Sequence, residues 1–307
     1  MKSYDAIVIG GGPAGMAAAL YLVRAGVKIL VVEKLAPGGQ MLLTEELENY
    51  PGFPDGIKGY ELADQMSDHV KKYSFDKILD EVQQIIPGKK FHEIVVDGVH
   101  YRARTIILAT GVVFRKLKVP NEEKLLGRGV SYCALCDGNF YKNKVVAVVG
   151  GGNSALEEAL YLARLVKKLY LIHRRTEFRG LKCYQDKCNA DPKIVPVLNS
   201  VVARIVGDNE VVGVEIKDTV TNEYSVLDVD GVFIFVGFNP VSTFFPAELQ
   251  LDQSGFIKTT CEMETNIPGI FAAGDLRSKN CRQVVTAVGD GATAATAAFA
   301  YLEHNNA

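Results

Sequence analysis

No apolar run in this chain approaches the ~20 residues that a membrane-spanning helix needs, because Gly, Arg or Asp interrupts every candidate. A soluble protein without a membrane partner is expected. An excess of charge is missing too: 34 basic and 36 acidic side chains leave a net charge of −2, which gives no general attraction to nucleic acid. Any basic site must be local. Cysteine is scarce, with 6 in 307 residues and no export signal, so a disulfide-stapled secreted fold is excluded and a reducing cytoplasm is expected. Met1 to Ala25 pairs a lysine with apolar residues as a signal peptide does. Asp5 and Gly10-Gly11-Gly12-Pro13 interrupt that pattern and fit a strand, a turn and a helix instead. Apolar residues at 48% and charged residues at 23% are ordinary for a globular protein, and the length suits two domains.

The strongest feature present is an internal repeat. Asp5 to Ile9 reads as a buried parallel strand, Gly10-Gly11-Gly12-Pro13-Ala14-Gly15 as a turn, Met16 to Ala25 as a helix ended by Gly26, and Lys28 to Val32 as the next strand. The same order recurs at Val145 to Val149, Gly150-Gly151-Gly152-Asn153-Ser154-Ala155, Leu156 to about Val166, and Leu169 to Ile172. Such a turn between a strand and a helix is a dinucleotide-binding fingerprint. Gly10 and Gly150 permit the tight turn, Gly12 and Gly152 let backbone approach a pyrophosphate, and Gly15 or Ala155 allows close helix packing, with amides offered at the helix start, where Asn153 and Ser154 lie in the second copy. The expected class is α/β, with two Rossmann-like nucleotide-binding domains of the three-layer ββα kind, the second inserted into the first.

Equivalent positions separate the two ligands. Glu33, at the end of the second strand, is placed to accept hydrogen bonds from ribose hydroxyls and to repel a 2′-phosphate. His173 stands to Gly150 as Glu33 stands to Gly10, and Arg174, Arg175 and Arg179 follow it. Guanidinium groups pair bidentately with phosphate, so the second site should take NADPH in preference to NADH. A solvated basic strand end is the alternative.

Cys133-Ala134-Leu135-Cys136-Asp137 precedes the second turn. Two cysteines at this spacing can close a redox-active disulfide, or can form half of a zinc site. Zinc needs a second ligand pair, and Cys183 with Cys188 fits a metal knuckle poorly, so no metal is expected. Cys183, Cys188, Cys261 and Cys281 are read as small buried apolar residues.

The remaining segments alternate between hairpins and buried strands. Phe91 to Ala103 reads as a hairpin about Asp97-Gly98, and Thr105 to Gly111 as a buried closing strand. Ile194 to Val229 contains further strands, and Val232 to Gly237 is a second closing strand. Gly269 to Asp275 reads as one more strand and Gln283 to His304 as a small-residue helix. A separate C-terminal domain of this size is too small, so the expected domains are 1–113 with 242–307, and 114–241 inserted between them.

These motifs together resemble the low-molecular-weight, bacterial-type thioredoxin reductases. The resemblance runs through Gly10 to Gly15, Gly38-Gly39-Gln40, Glu48-Asn49-Tyr50-Pro51-Gly52, Ala109-Thr110-Gly111, Gly127 to Ser131, Cys133 to Gly138, Gly150 to Ala155, His173-Arg174-Arg175, Ala273-Gly274-Asp275 and Arg282-Gln283. It implies FAD in the first domain, with Gly39, Gln40 and Asn49 toward the flavin, Asp275 at its ribityl chain, Gly111 and Gly274 among the other FAD-binding residues, and Arg282 and Gln283 at the ring system. For Asp275 alone, a helix cap or a turn is the alternative. The resemblance also implies NADPH in the second domain, a homodimer, and electron flow from NADPH through FAD to a Cys133–Cys136 disulfide and on to thioredoxin. Cys136 would face the flavin, Cys133 would attack the partner's disulfide, and Asp137 would carry a proton. Leu135 stands where the family commonly has Thr. Dithiol and nicotinamide site share one domain yet serve one flavin in the other, so a rotation about the two crossings, near Val112–Lys118 and Gly237–Thr243, is expected. A different donor (ferredoxin, F420 or NADH), a different thioredoxin-like or peroxiredoxin-linked acceptor, and a non-catalytic binding protein are the competing readings.

Overall fold

The computed structural model describes residues 1–305 except Glu45 and Glu48. Glu48, quoted above within a motif, therefore lies outside the described residues. The chain starts with β1 (Lys2–Ile9), α1 (Pro13–Arg24) and β2 (Ile29–Glu33). After α2 (Gly59–Lys71) come β3 (Asp76–Leu79), β4 (Val82–Ile86), β5 (His92–Val96) and β6 (Val99–Leu108). Asp97 and Gly98, with φ of 46° and 68°, make the β5–β6 turn.

The hairpin arm and the closing strand expected from the sequence are one strand, β6. Its first half pairs antiparallel with β5, whereas Ile106 to Leu108 pair parallel with a strand from the chain's other end. Alternating polarity at one end and continuous apolarity at the other thus record a half-open and a fully covered stretch of the same strand.

A short strand β7 (Val112–Phe114) leads into the insertion. There β8 (Val130–Ser131), α3 (Ala134–Asp137), β9 (Val145–Val149), α4 (Asn153–Ala163), β10 (Lys168–Ile172), α5 (Lys182–Ala190) and β11 (Ile194–Val197) follow. Next come β12 (Ser200–Val206), β13 (Gly213–Asp218), β14 (Tyr224–Asp228), β15 (Gly231–Ile234) and the return strand β16 (Phe238–Pro240), which pairs with β7. Finally β17 (Ile270–Ala272) and α6 (Val284–His304) rejoin the first sheet.

Two compact units result, Met1–Val113 with Asn239–Ala307, and Phe114–Phe238. In the first, the sheet runs β3-β2-β1-β6-β5-β4, with β17 against β6. Val8, Leu22 and Ala294 belong to the core on its helical side, while Val82, Ile94 and Phe244 belong to that on the other. In the second, a parallel sheet β11-β10-β9-β15-β8 shares one core with α4, through Leu156 and Leu162, and another with the antiparallel sheet β12-β13-β14, through Ile205 and Val214. Both units are three-layered α/β folds. Among the described residues no helix is long and apolar enough to cross a membrane.

Both nucleotide-turn helices start earlier than apolar periodicity indicates, at Pro13 and Asn153 rather than Met16 and Leu156. The last residue of each motif, Gly15 or Ala155, lies inside the first turn, where it packs back on the strand end. The small residues of α6 have an equally steric cause, since α6 packs on α1 and a Cβ on Gly291 would lie 2.1 Å from Ala14 O. Gly291→Val is therefore expected to destabilise the fold by about 1–3 kcal/mol through overpacking, as urea denaturation would measure.

Candidate active site

The two glycine turns are built alike. A Cβ on Gly10 (φ 110°) would stand 2.4 Å from Ala109 O, and one on Gly150 (φ 153°) would stand 2.4 Å from Phe235 O. Each turn is thus pressed against the carbonyl at the end of the neighbouring closing strand. Gly15 approaches Gly10 O more closely still, leaving 1.8 Å for a Cβ. No side chain caps α1 or α4 at Gly12 or Gly152, so their first-turn amides remain open to a phosphate.

The middle glycine of each turn is covered by the residue ending the second strand. Glu33 Oε2 accepts from Gly11 N at 2.5 Å and Oε1 accepts from Leu35 N at 3.0 Å. An ionised carboxylate has about four lone-pair sites, so capacity remains for ribose hydroxyls. At the equivalent place the His173 ring lies over Gly151, where a Cβ would be 2.3 Å from Nδ1. His173 is buried, and burial first, then Arg179, Arg175 and Arg174, lower its pKa below the usual histidine value. It is a neutral ring and not a further cation. Its Nε2 is buried without a hydrogen-bond partner.

Around the second turn lies a cleft of about 490 Å³, lined by Gly150 to Ala155, His173, Arg174 and Arg179. Arg175 does not line it; its side chain is exposed. Arg179 is placed by backbone, because Arg179 N and Gly180 N both donate to Gly151 O, at 2.7 and 3.1 Å, and Leu181 N donates to Asn153 Oδ1 at 2.7 Å. Ser154 is exposed on the first turn of α4. Arg115, Lys116 and Ser200 also line the cleft and escaped the sequence reading. For Arg115 and Lys116 the available signal was two adjacent basic residues within the first crossing; Ser200 carried none.

In the first unit, two acceptors point to a missing hydrogen-bonding ligand. Gln40 Nε2 donates to Val112 O at 2.9 Å, leaving Oε1 buried and unpartnered. Asp275 Oδ1 is likewise buried without a hydrogen-bond partner. Burial raises the Asp275 pKa, opposed by Lys279 and Arg282. Asn49 Nδ2 donates to Gln283 Oε1 at 3.1 Å, which joins two expected site residues far apart in sequence. Arg282 Nε donates to Asp275 O at 3.3 Å, and its guanidinium lies 4.2 Å over the Phe256 ring. Burial lowers the Arg282 pKa. Gly39 faces Gly12, leaving 3.2 Å for a Cβ, and Gly111 and Gly274 hold φ of 65° and 85°. Orphaned acceptors beside a side-chain-free turn suit a dinucleotide with a polyhydroxylated arm, as FAD is.

Cys133 and Cys136 are joined in a disulfide, with Cα atoms 5.3 Å apart. Cys136 is buried, Cys133 half-buried and Leu135 exposed. Cys136 N donates to Cys133 Sγ at 3.2 Å. Ser131, buried at the end of β8, donates from Oγ to Asp137 Oδ2 at 2.5 Å and accepts from Cys133 N at 3.0 Å. Ser131 was quoted in a motif but given no role; side-chain contact is what reveals it. Tyr132 OH donates to the buried Glu122 at 2.7 Å, and Glu122 also accepts from Leu117 N and Lys118 N at 2.8 and 2.7 Å. The Tyr132 ring stacks 4.9 Å from Phe114, which packs 5.2 Å from Phe238. The residue before Cys133 is thus held between Glu122 and Phe114, at the first end of the insertion.

The other four cysteines correct the expectation of uniform burial. Cys188 alone is buried, and burial pushes its thiol up to about 11; Cys183, Cys261 and Cys281 are exposed. Single cysteines carry no periodicity that reports burial.

Residues 4–291 match the pyridine nucleotide-disulphide oxidoreductase family. The chain is 47% identical over 303 residues to thioredoxin reductase of Listeria innocua, covering 98% of this chain and 95% of the relative. It is 45% identical to that of Bacillus subtilis, covering 98% and 96%. The crystal structure of thioredoxin reductase from Streptococcus pyogenes superposes with a TM-score of 0.93 at 44% identity, covering 98% of this chain and 99% of that one.

Glu158 adds a pH dependence. On α4 it lies one turn before Leu162, which packs on Gly138 just after α3. Its Oε2 is buried without a partner, and burial, aided by Glu157, pushes the carboxyl up to about 7 from 4.5. A raised folded-state pKa means that stability held below pH 4.5 is lost as pH rises toward 7. Glu158→Gln should be more stable than the parent by about 1–3 kcal/mol at pH 8, with the gap closing near pH 4. Urea titrations at both pH values check this; an equal gap at both would refute it.

Proposed function

The chain belongs to the pyridine nucleotide-disulphide oxidoreductases, among them to the thioredoxin reductases, and on that footing we propose that it reduces thioredoxin with electrons from NADPH, using Cys133 and Cys136. The observation that carries this reading is an oxidised Cys133–Cys136 pair in the same unit as a glycine-turn cleft lined by Arg174 and Arg179. Residues 1–113 and 242–307 hold FAD, and 114–241 hold NADPH and the dithiol. FAD, when bound, supplies a two-electron carrier between nicotinamide and disulfide.

The chain's own residues divide the remaining work. Gly10, Gly12, Gly15 and the α1 amides take the FAD pyrophosphate, Glu33 its adenosine ribose, and Asp275 with Gln40 the hydroxyls and polar edge beyond it. Gly150, Gly152, Asn153 and Ser154 take the NADPH pyrophosphate, and Arg174 and Arg179 its 2′-phosphate, with Arg175 adding charge from outside the cleft lining and His173 neutral beneath the turn. A ferredoxin or F420 donor would leave those guanidiniums without a purpose. Reducing the Cys133–Cys136 bond takes two electrons and leaves two sulfurs to be protonated. Asp137, whose Oδ2 accepts from Ser131 Oγ, is placed to move one at that atom. Cys133, the more exposed thiol, then attacks thioredoxin's disulfide as thiolate, forming a mixed disulfide. Cys136 displaces it, which releases the reduced partner and restores the original bond. The two crossing strands, β7 and β16, are where the chain would turn between the two half-reactions. A cytoplasmic homodimer that contacts neither nucleic acid nor membrane completes the proposal, supported by the near-neutral charge.

NADPH-driven reduction of thioredoxin tests the reading. Cys133→Ser and Cys136→Ser should each lower turnover by at least about 10³-fold, and undiminished transfer in either variant would refute the dithiol role. Arg174→Ala combined with Arg179→Ala should raise KM for NADPH by roughly 10- to 100-fold and leave NADH kinetics unchanged. Equal losses with both cofactors would place the arginines elsewhere.

A further inference from the structure

The segment from Gly274 to Gln283, between β17 and α6, carries Asp275, Arg282 and Gln283 of the proposed FAD site. It is fastened by a residue outside itself. Asp290, in the second turn of α6, accepts from Gly274 N at 3.0 Å and from Lys279 Nζ at 2.9 Å through Oδ2, and pairs with Arg277 Nη1 at 3.0 Å through Oδ1. All three side chains are nearly covered, at 11% for Arg277, 12% for Lys279 and 13% for Asp290. A carboxylate that serves two buried cations and an amide has spent most of its capacity on protein.

Lys279 is the pivot. Its ammonium sits 3.5 Å from Asp275 Oδ1 but 2.9 Å from Asp290 Oδ2, so Asp290 is the preferred partner. Without that carboxylate, the nearest compensating charge for Lys279 would be Asp275 itself, and the lysine would close on it. With it, Asp275 Oδ1 stays buried and without a hydrogen bond. A buried carboxylate oxygen without a hydrogen bond is costly, and a distant ammonium offsets that cost less well than a ligand donor would. Arg277 gives the arrangement a second anchor, because its Nε donates to Thr259 Oγ1 at 2.8 Å and its carbonyl accepts from Arg282.

We propose that Asp290 is a positioning residue of the FAD site: it holds the Gly274 amide, draws Lys279 away from Asp275, and so keeps Asp275 Oδ1 free to accept from a hydroxyl of the ribityl chain. The inference rests on the FAD reading given above and names no contact between Asp290 and the cofactor. Asp290 acts through Asp275, and Lys279 is the competitor it restrains.

The test is the rate of FAD release from diluted holoenzyme, followed by the rise in flavin fluorescence. Asp290→Asn keeps an acceptor for Gly274 but loses the charge, and should speed release roughly 10- to 100-fold. The same change in an Asp275→Asn background should add little, because its target is gone. Adding Lys279→Met to Asp290→Asn should slow release again, since no ammonium remains to close on Asp275; a merely structural role predicts no such rescue. Should Asp290→Asn fail to fold, Asp290→Glu keeps the charge at a shifted position, and its faster release should vanish in the Asp275→Asn background in the same way. Unchanged release in Asp290→Asn, or an undiminished effect in the Asp275→Asn background, would overturn the proposal. A purified parent protein without flavin would overturn the FAD reading itself, whereas a flavin-bearing parent with insensitive variants overturns this inference alone.

Discussion

A backbone-on-backbone approach governs both halves of this protein. At Gly10 the turn leaving β1 runs against the carbonyl of Ala109, and at Gly150 the turn leaving β9 runs against that of Phe235. Any side chain there would push turn and closing strand apart, and with them the helix whose first amides face the crevice. The same closing strands continue into Gly111 and Gly237, both in left-handed conformations, and then into the paired strands β7 and β16. One steric constraint therefore shapes both nucleotide crevices, and the chain leaves each unit a few residues beyond it.

On that shared scaffold, charge makes the two sites different. Glu33 and His173 occupy matching positions over the middle glycine, but one presents a carboxylate already bonded to the turn and the other a neutral buried ring with guanidiniums around it. A ribose with free hydroxyls suits the first, and a phosphorylated ribose the second. Within the first unit the problem is reversed, since Arg277, Lys279 and Arg282 crowd a buried region. Asp290 absorbs two of these cations, and Asp275 keeps an open oxygen as a result.

Much of this was legible in the residues. Buried strands flanking Gly10 and Gly150 announced themselves by continuous Val, Ile and Ala, and the position of Glu33 against His173 read directly as two different riboses. Boundaries were less legible. A helix that starts at Pro13 cannot be found from apolar spacing alone, because its first turn is made of Ala14 and Gly15, whose role is to pack against the strand. The hairpin and closing strand merged into β6 because polarity tracks a strand's neighbours and not its length. Ser131, Arg115 and Asp290 went unassigned for another reason: each acts through partners that only folding brings near.

The sequence by itself determined the two nucleotide turns, the contrast of carboxylate and histidine beside them and the spacing of Cys133 and Cys136, because local sterics and charge at fixed offsets decide these. Tertiary structure alone decided which polar groups are satisfied and which are left open. Asp137 finds Ser131 across a short helix, Tyr132 is wedged against Phe114 and Glu122, and Lys279 divides its attention between Asp290 and Asp275. Such pairings depend on distances of a few ångströms between segments far apart in the chain, and burial gives them their energetic weight.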